Sequence, residues 1–245
     1  VTLFIYNIYY MFKETDIVFD PVKHTYTHTS AGLLTSATTV LGKFKKPFDK
    51  MFHATRVAKR ECVNVEQVLE MWEYEKNKAC DRGTDIHKML EDYIMLGEIK
   101  EHYGWLFKAY NSVVDRAVGS VDKVLCENIV YNTEYKVAGM ADLIYNIKGD
   151  KFIVGDFKTN KKFNFHSQYG EHLLAPVDHL QNCEFNVYAL QLSLYAYMYE
   201  VMTNKKCAKC VIFYLKDNKF LPYHVNYMRE EVKAILTKFN LQYND

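Results

Sequence analysis

The sequence predicts an α/β fold with a mixed central sheet flanked by helices. Apolar residues recur at helical spacing up to about residue 118, then alternate at the two-residue period of strands over three successive segments, and return to helical spacing near 185. Composition agrees: the 245 residues are 49% hydrophobic and 25% charged, with Tyr 20 and Phe 15 against Gly 10 and Pro 4, the profile of an aromatic core with few irregular loops. This excludes disorder, collagen and coiled coil. One domain over 1–245 is expected, because no repeat, low-complexity tract or linker divides the chain.

The elements follow in order. The opening VTLFIYNIYYMF has twelve residues, short of the roughly 20 that a membrane helix needs. Residues 1–10 either lie upstream of a start at Met11 or form an edge strand. DIVFDPVKHTYTH (16–28) alternates around Pro21 as a β-hairpin. From Ser36 to Arg60 the text is helical and basic, with Lys43, Lys45, Lys46, Lys50, Arg56, Lys59 and Arg60 interleaved with Phe44, Phe48 and Phe52. A solvated helix face or a phosphate-contacting surface explains such a stripe. Residues 1–64 are thus expected as an accessory hairpin and a basic helical cap.

Helical periodicity spans 65–96, interrupted at Gly83, and again about 103–118. VDKVLCENIVYN (121–132), YKVAGMADLIYNI (135–147) and KFIVGDFKT (151–159) read as strands. An insertion at 163–184 precedes a long apolar helix over 185–203; strands at about 209–216 and 220–227 and a helix from about 229 to 240 close the chain. The core is expected over about 80–216, with 217–245 adding a C-terminal strand and helix.

Thirty-one basic against thirty acidic residues give a net charge of +1, which removes a globally basic surface as an argument for a nucleic-acid partner. Six scattered cysteines read as free thiols in a reducing, cytoplasmic compartment. No membrane partner is expected, and no Walker loop, Ser-His-Asp arrangement or dinucleotide glycine fingerprint is evident.

The chemistry concentrates in YKVAGMADLIYNIKGDKFIVGDFKT. A hairpin centred on Gly149 sets Asp142 opposite Asp156 and Ile144 opposite Val154, with Lys158 two residues beyond Asp156 on the same face. Two buried carboxylates this close need a cation or a raised pKa. Oxygen ligands favour Mg2+ or Mn2+ over zinc. Such an ion, held by Asp142, Asp156 and the main-chain carbonyl of Phe157, acidifies water and polarises a phosphodiester oxygen. Lys158 then either orients water or offsets developing phosphate charge. A surface Asp pair bridged by lysine is the plainer alternative, disfavoured by the apolar neighbours Leu143, Ile144, Ile153, Val154 and Phe157.

These residues resemble a family. GMADLI (139–144) followed by DFK (156–158) is similar to the catalytic core of the PD-(D/E)XK nuclease superfamily, RGTDIH (82–87) to the GxxxH helix of its RecB-like exonuclease branch, and QLSLY (191–195) to that branch's QxxxY helix. All occur in the family's order over roughly 80–216, in the style of phage exonucleases and the mitochondrial genome maintenance exonuclease. The resemblance implies a restriction-endonuclease-like αβββαβ core, with Asp142, Asp156 and Lys158 catalytic and His87 a further metal ligand. It implies that Gln191 and Tyr195 support the lysine or contact DNA. Glu91, one helical turn from His87, either orients it or pairs with Lys88. Glu127 is read as an exposed strand acid, with a further acid at the site as the other reading. Lys161 and Lys162 are candidate phosphate contacts or solvated loop lysines, and Lys43, Lys45 and Lys46 are candidate DNA contacts. An iron-sulfur cluster is not expected, because Cys207 and Cys210 have no third cysteine after them.

The activity implied is a Mg2+- or Mn2+-dependent deoxyribonuclease acting from strand ends, in phage or mobile-element DNA recombination, repair or replication. Its place would be the cytoplasm of a bacterial or phage-infected cell, with a recombinase or single-strand-binding protein as a further partner. A non-catalytic DNA-binding scaffold and a small-molecule phosphoesterase are the alternatives.

Overall fold

The computed structural model describes residues 16–243, so the readings of residues 1–10 lie outside the described residues. Strands β1 (Ile17–Asp20) and β2 (Thr25–His28) form the expected hairpin. A third strand, β3 (Gly32–Ser36), was not anticipated: GLLTS is too short to show a period. The helical segment follows as two helices, α1 (Ala37–Gly42) and α2 (Lys50–Glu61), rather than one from 36 to 60. Pro47 lies in the link between them; it lacks an amide and disfavours helix at the residue before it. Asp49 then restarts the helix by accepting the Phe52 amide at 2.9 Å. Lys43, Lys45 and Lys46 therefore sit on the link, not on a helical stripe.

Helix α3 (Val65–Leu96) runs 32 residues with no break at Gly83. An isolated glycine costs a helix only about 1 kcal/mol. Helix α4 (Gly104–Ala117) leads into strands β4 (Lys123–Asn132), β5 (Val137–Ile147) and β6 (Lys151–Lys158). After helix α5 (Glu184–Thr203) come β7 (Lys206–Lys216), β8 (Lys219–Val225) and α6 (Arg229–Tyr243). The expected order of a helix, three strands, a helix and a strand is present from α3 to β7, with α4 between the first helix and the strands. A Cβ on residue 83 would lie 3.3 Å from Thr159 Oγ1, so the glycine lets α3 approach the exit of β6 closely.

Among the described residues eight strands form one mixed sheet in the order β1-β2-β3-β5-β6-β7-β8, with β4 on β5. Strand β4 occupies one edge of β5 from Asn146 back to Val137. The other edge is shared: β6 pairs antiparallel with Leu143 to Ile147, while β3 pairs parallel with Val137 and Ala138. Between these two partners the edge of β5 opens, and Asp142 stands at the opening.

Helices cover both faces. One face of the sheet, with Val137, Ala141, Ile144, Val154 and Ile212, packs on α1, α5 and α6. The other, with Leu143, Tyr145, Ile153, Phe157 and Phe213, packs on α3 and α4. Helix α5 is apolar around most of its circumference because sheet and helices enclose it. Its Ser193 Oγ donates to Ala189 O at 2.7 Å and accepts the Met228 amide at 2.9 Å, tying α5 to the start of α6. No helix among the described residues is long and apolar enough to cross a membrane.

Candidate active site

The β5-β6 register is the one expected from a turn at Gly149: Ile144 lies opposite Val154, and the ladder runs as far as Leu143 opposite Gly155. One step further the strands part. With no ladder to join there, the amide of Phe157 donates to Asp142 Oδ2 at 2.8 Å. The same oxygen is 3.3 Å from His87 Nδ1 on α3. Asp142 and Asp156 turn to different partners while each carboxylate still acts on the other's charge, and the strand alternation breaks at Asp142: Ala141 and Ile144 face α5 while Leu143 faces α3 and α4.

Asp156 follows Val154 onto the α5 face and is 2% exposed. Its Oδ2 lies 2.6 Å from Lys158 Nζ, an ion pair that falls short of a well-aligned hydrogen bond. Lys158 donates to Gln191 Oε1 at 3.3 Å, Gln191 Nε2 donates to the Tyr195 hydroxyl at 2.9 Å, and the ammonium lies 4.5 Å from the Tyr188 ring centroid. The QxxxY pair therefore supports the lysine. One helical turn separates the two side chains, so both share the face turned to β6.

A ligating atom from each of His87, Glu127 and Asp142 lies within 4.8 Å of the other two. Glu127 is half-buried, which corrects its reading as an exposed strand acid. The signal was the β4-β5 register: Cys126 pairs with Leu143 and Asn128 with Ala141, so Glu127 falls opposite Asp142, where its φ of +46° breaks the regular ladder. Asp156, expected among the metal ligands, is not a member of this group, and its Oδ2 pairs with Lys158. Phe157 does adjoin the site: its amide donates to Asp142, and its ring lies edge-on to that of His87 with centroids 5.8 Å apart.

Electrostatics distinguish the roles. Burial, reinforced by the Asp156 carboxylate, pushes the Asp142 carboxyl well above the usual range. Burial, then Glu91 and Asp156, pushes Glu127 up to about 7. Burial keeps His87 below its ordinary value against the pull of Asp156, which favours the neutral imidazole that coordination needs. Burial opposes the Lys158 charge, but Asp156 and Asp142 outweigh it and the ammonium is held more firmly than usual. One nitrogen and two carboxylates suit a divalent cation, and the repulsion among the acids is the cost that a cation would relieve.

The remaining expected residues are placed as follows. Glu91 accepts from Lys88 at 3.0 Å, the pairing reading rather than the orienting one. Lys161 pairs with Glu75 of α3 at 2.6 Å, and Lys162 is exposed. Lys43 and Lys46 are exposed, whereas Lys45 is half-buried: burial lowers its pKa, Glu184 opposes this, and Lys158 adds to it, so Lys45 lies within electrostatic reach of the site. In the insertion, Phe163 stacks on Tyr214 at 4.8 Å, and the Leu174 amide donates to Phe44 O at 2.8 Å. Cys207 and Cys210 thiols are 3.7 Å apart at the opposite end of β7. A cleft of about 530 Å³, whose lining includes Thr84, His87, Lys88, Glu91, Glu127 and Met140, opens onto the His87 group.

No family model matches the chain, and no curated protein does. Among solved structures it is similar to that of SSO0001, with 17% identity, 84% of this chain and 74% of that one covered, and a TM-score of 0.39. It is also similar to a protein from Eubacterium rectale, provisionally named an exonuclease, with 10% identity, 82% and 68% covered, and a TM-score of 0.37.

Proposed function

We propose that this chain is a Mg2+- or Mn2+-dependent deoxyribonuclease of the PD-(D/E)XK type that hydrolyses phosphodiester bonds from strand ends. The observation that carries the reading is the meeting of His87, Glu127 and Asp142 within 4.8 Å, with an anchored Lys158 bound to the intervening Asp156. His87, Glu127 and Asp142 would hold the ion. Two carboxylates keep the set hard, and the imidazole favours Mn2+ over Mg2+. Bound there, the ion would supply Lewis-acid polarisation of the phosphodiester and a more acidic water.

The protein's own groups supply the rest. Asp156, through its ion pair, and Gln191, through its hydrogen bond, hold the Lys158 ammonium where charge develops on the phosphate, so little reorganisation is needed during reaction. Tyr195 fixes Gln191 from below. Helix α3 delivers a neutral imidazole, and the close approach at Gly83 keeps that helix against β6. Lys45 and Lys162 are available to the phosphates on either side.

End-labelled DNA incubated with Mn2+, with Mg2+, or with a chelator tests the reading. Metal-dependent shortening, faster with Mn2+, is the expected result. Binding without degradation under every condition would favour the scaffold, and hydrolysis confined to small phosphate esters would favour a phosphoesterase.

A further inference from the structure

We propose that Tyr188 is a positioning residue for Lys158, whose ammonium lies over its ring, and that the 163–184 insertion fixes that ring through Phe163. This rests on the nuclease reading and specifies what keeps its lysine in place.

A lysine ammonium is a point charge on a flexible four-carbon stem, so it keeps one geometry only where its surroundings impose it. Asp156 Oδ2 at 2.6 Å and Gln191 Oε1 at 3.3 Å take two sides of the Lys158 ammonium. The Tyr188 ring, with its centroid 4.5 Å from Nζ, takes a third. An ammonium carries three hydrogens, and a ring face attracts the charge without claiming one of them as an oxygen lone pair does. A proton can therefore turn from the ring to a phosphate oxygen while the carboxylate and the amide still hold the nitrogen. Tyr188 is half-buried, and desolvation strengthens a contact between a cation and a ring. Burial also raises the pKa of its hydroxyl against the pull of Lys158, so the ring is a neutral phenol and not a base.

Helix geometry accounts for the pairing. Tyr188 lies three residues before Gln191 and so on the same side of α5, which lets neighbouring turns of one helix reach one ammonium. The ring is itself held. Phe163 lies nearly parallel to it, with planes 16° and centroids 5.9 Å apart. Phe163 also stacks on Tyr214 of β7 at 4.8 Å and on Tyr223 of β8 at 5.2 Å. Tyr214 is the partner of Lys158 in the parallel ladder, and its hydroxyl donates to Asn160 O at 3.0 Å, two residues past that lysine. The path from the insertion to Lys158 thus has two direct contacts, ring to ring and then ring to ammonium. A side chain that only filled space at 188 would need bulk; one that holds a cation needs the charge distribution of an aromatic face.

Two measurements test this. The first needs no activity: the NMR signal of the methylene beside the Lys158 ammonium is followed in protein carrying 13C-labelled lysine and is assigned through Lys158→Arg. In the parent and in Tyr188→Phe, the ring current should displace this signal from those of solvated lysines. The displacement should vanish in Tyr188→Leu and shrink in Phe163→Leu. An unchanged signal in Tyr188→Leu would overturn the positioning role, and an unchanged signal in Phe163→Leu would overturn the part given to the insertion. The second is Mn2+-dependent cleavage with phenylalanine at 188 carrying no fluorine, then one, two or three, since fluorine weakens the attraction of the face while leaving the shape of the ring nearly the same. The expected result is kcat falling stepwise to about a tenth with three fluorines, with KM unchanged. A flat series would overturn the proposal, because packing responds to ring shape and not to ring charge. Absence of cleavage by the parent would overturn the nuclease reading, while the NMR signal would still decide whether Tyr188 holds the lysine.

Discussion

Asp142 Oδ2 accepts the Phe157 amide at 2.8 Å and lies 3.3 Å from His87 Nδ1, so one oxygen joins helix α3 to both strands of the central hairpin. Its position follows from the opening in the edge of β5 between β6 and β3. There the backbone needs a side-chain acceptor, and the acceptor is also the first acid of the candidate ion site.

Asp142→Asn separates these two duties. The amide oxygen still accepts from Phe157, while the charge that burial and Asp156 disfavour is gone. The ion-free variant should melt higher, by about 2–4 °C, yet lose Mn2+ binding and DNA cleavage by orders of magnitude. Calorimetry of both proteins checks this; a lower melting temperature with full cleavage would contradict it.

Lys158→Met leaves Asp156 buried and without its cation. The single variant should lose about 3–5 kcal/mol of stability in urea unfolding. Adding Asp156→Asn should recover most of that loss and none of the cleavage. Cleavage by the double variant would remove the lysine from the reaction.

Much of this arrangement was legible in the sequence. The β5-β6 register followed from a tight turn at Gly149, and the Gln191–Tyr195 face from helical spacing alone, because both depend on local geometry. Glu127 was not: a polar residue on an alternating strand reads as solvent-facing, and its burial depends on the β4-β5 register and on a left-handed φ. Gly83 reads as a helix break in the sequence because helix propensity says nothing about Thr159 arriving from β6. Strand β3 pairs across a hundred residues, a relation that no local pattern carries.

Gly139 sits where β5 passes under α5. A Cβ there would fall 2.6 Å from Tyr195 Cε1 and 3.1 Å from Ala37 Cβ. Gly139→Ala should cost about 1–3 kcal/mol and, by displacing Tyr195, weaken the support of Lys158. A urea midpoint like the parent's would contradict the close packing.

Glu127 links stability to pH. Burial raises its folded pKa to about 7, above the ordinary carboxyl value of 4.5, so the folded state retains a proton that the unfolded chain releases. The ion-free protein should therefore be most stable with respect to this group at acid pH and lose that advantage as pH rises toward 7. Glu127→Gln should flatten this contribution between about pH 4.5 and 7. Thermal melts of both proteins across that range check it, and parallel curves would contradict it.

His87, Glu127 and Asp142 are proposed to hold a divalent ion used to cut DNA. The most direct test is the cleavage rate of end-labelled DNA as a function of Mn2+ concentration, for the parent and for Glu127→Gln. Saturable metal-dependent cleavage is expected in the parent, and a curve displaced to much higher Mn2+ in the variant. Identical curves, or cleavage that persists in a chelator, would contradict it.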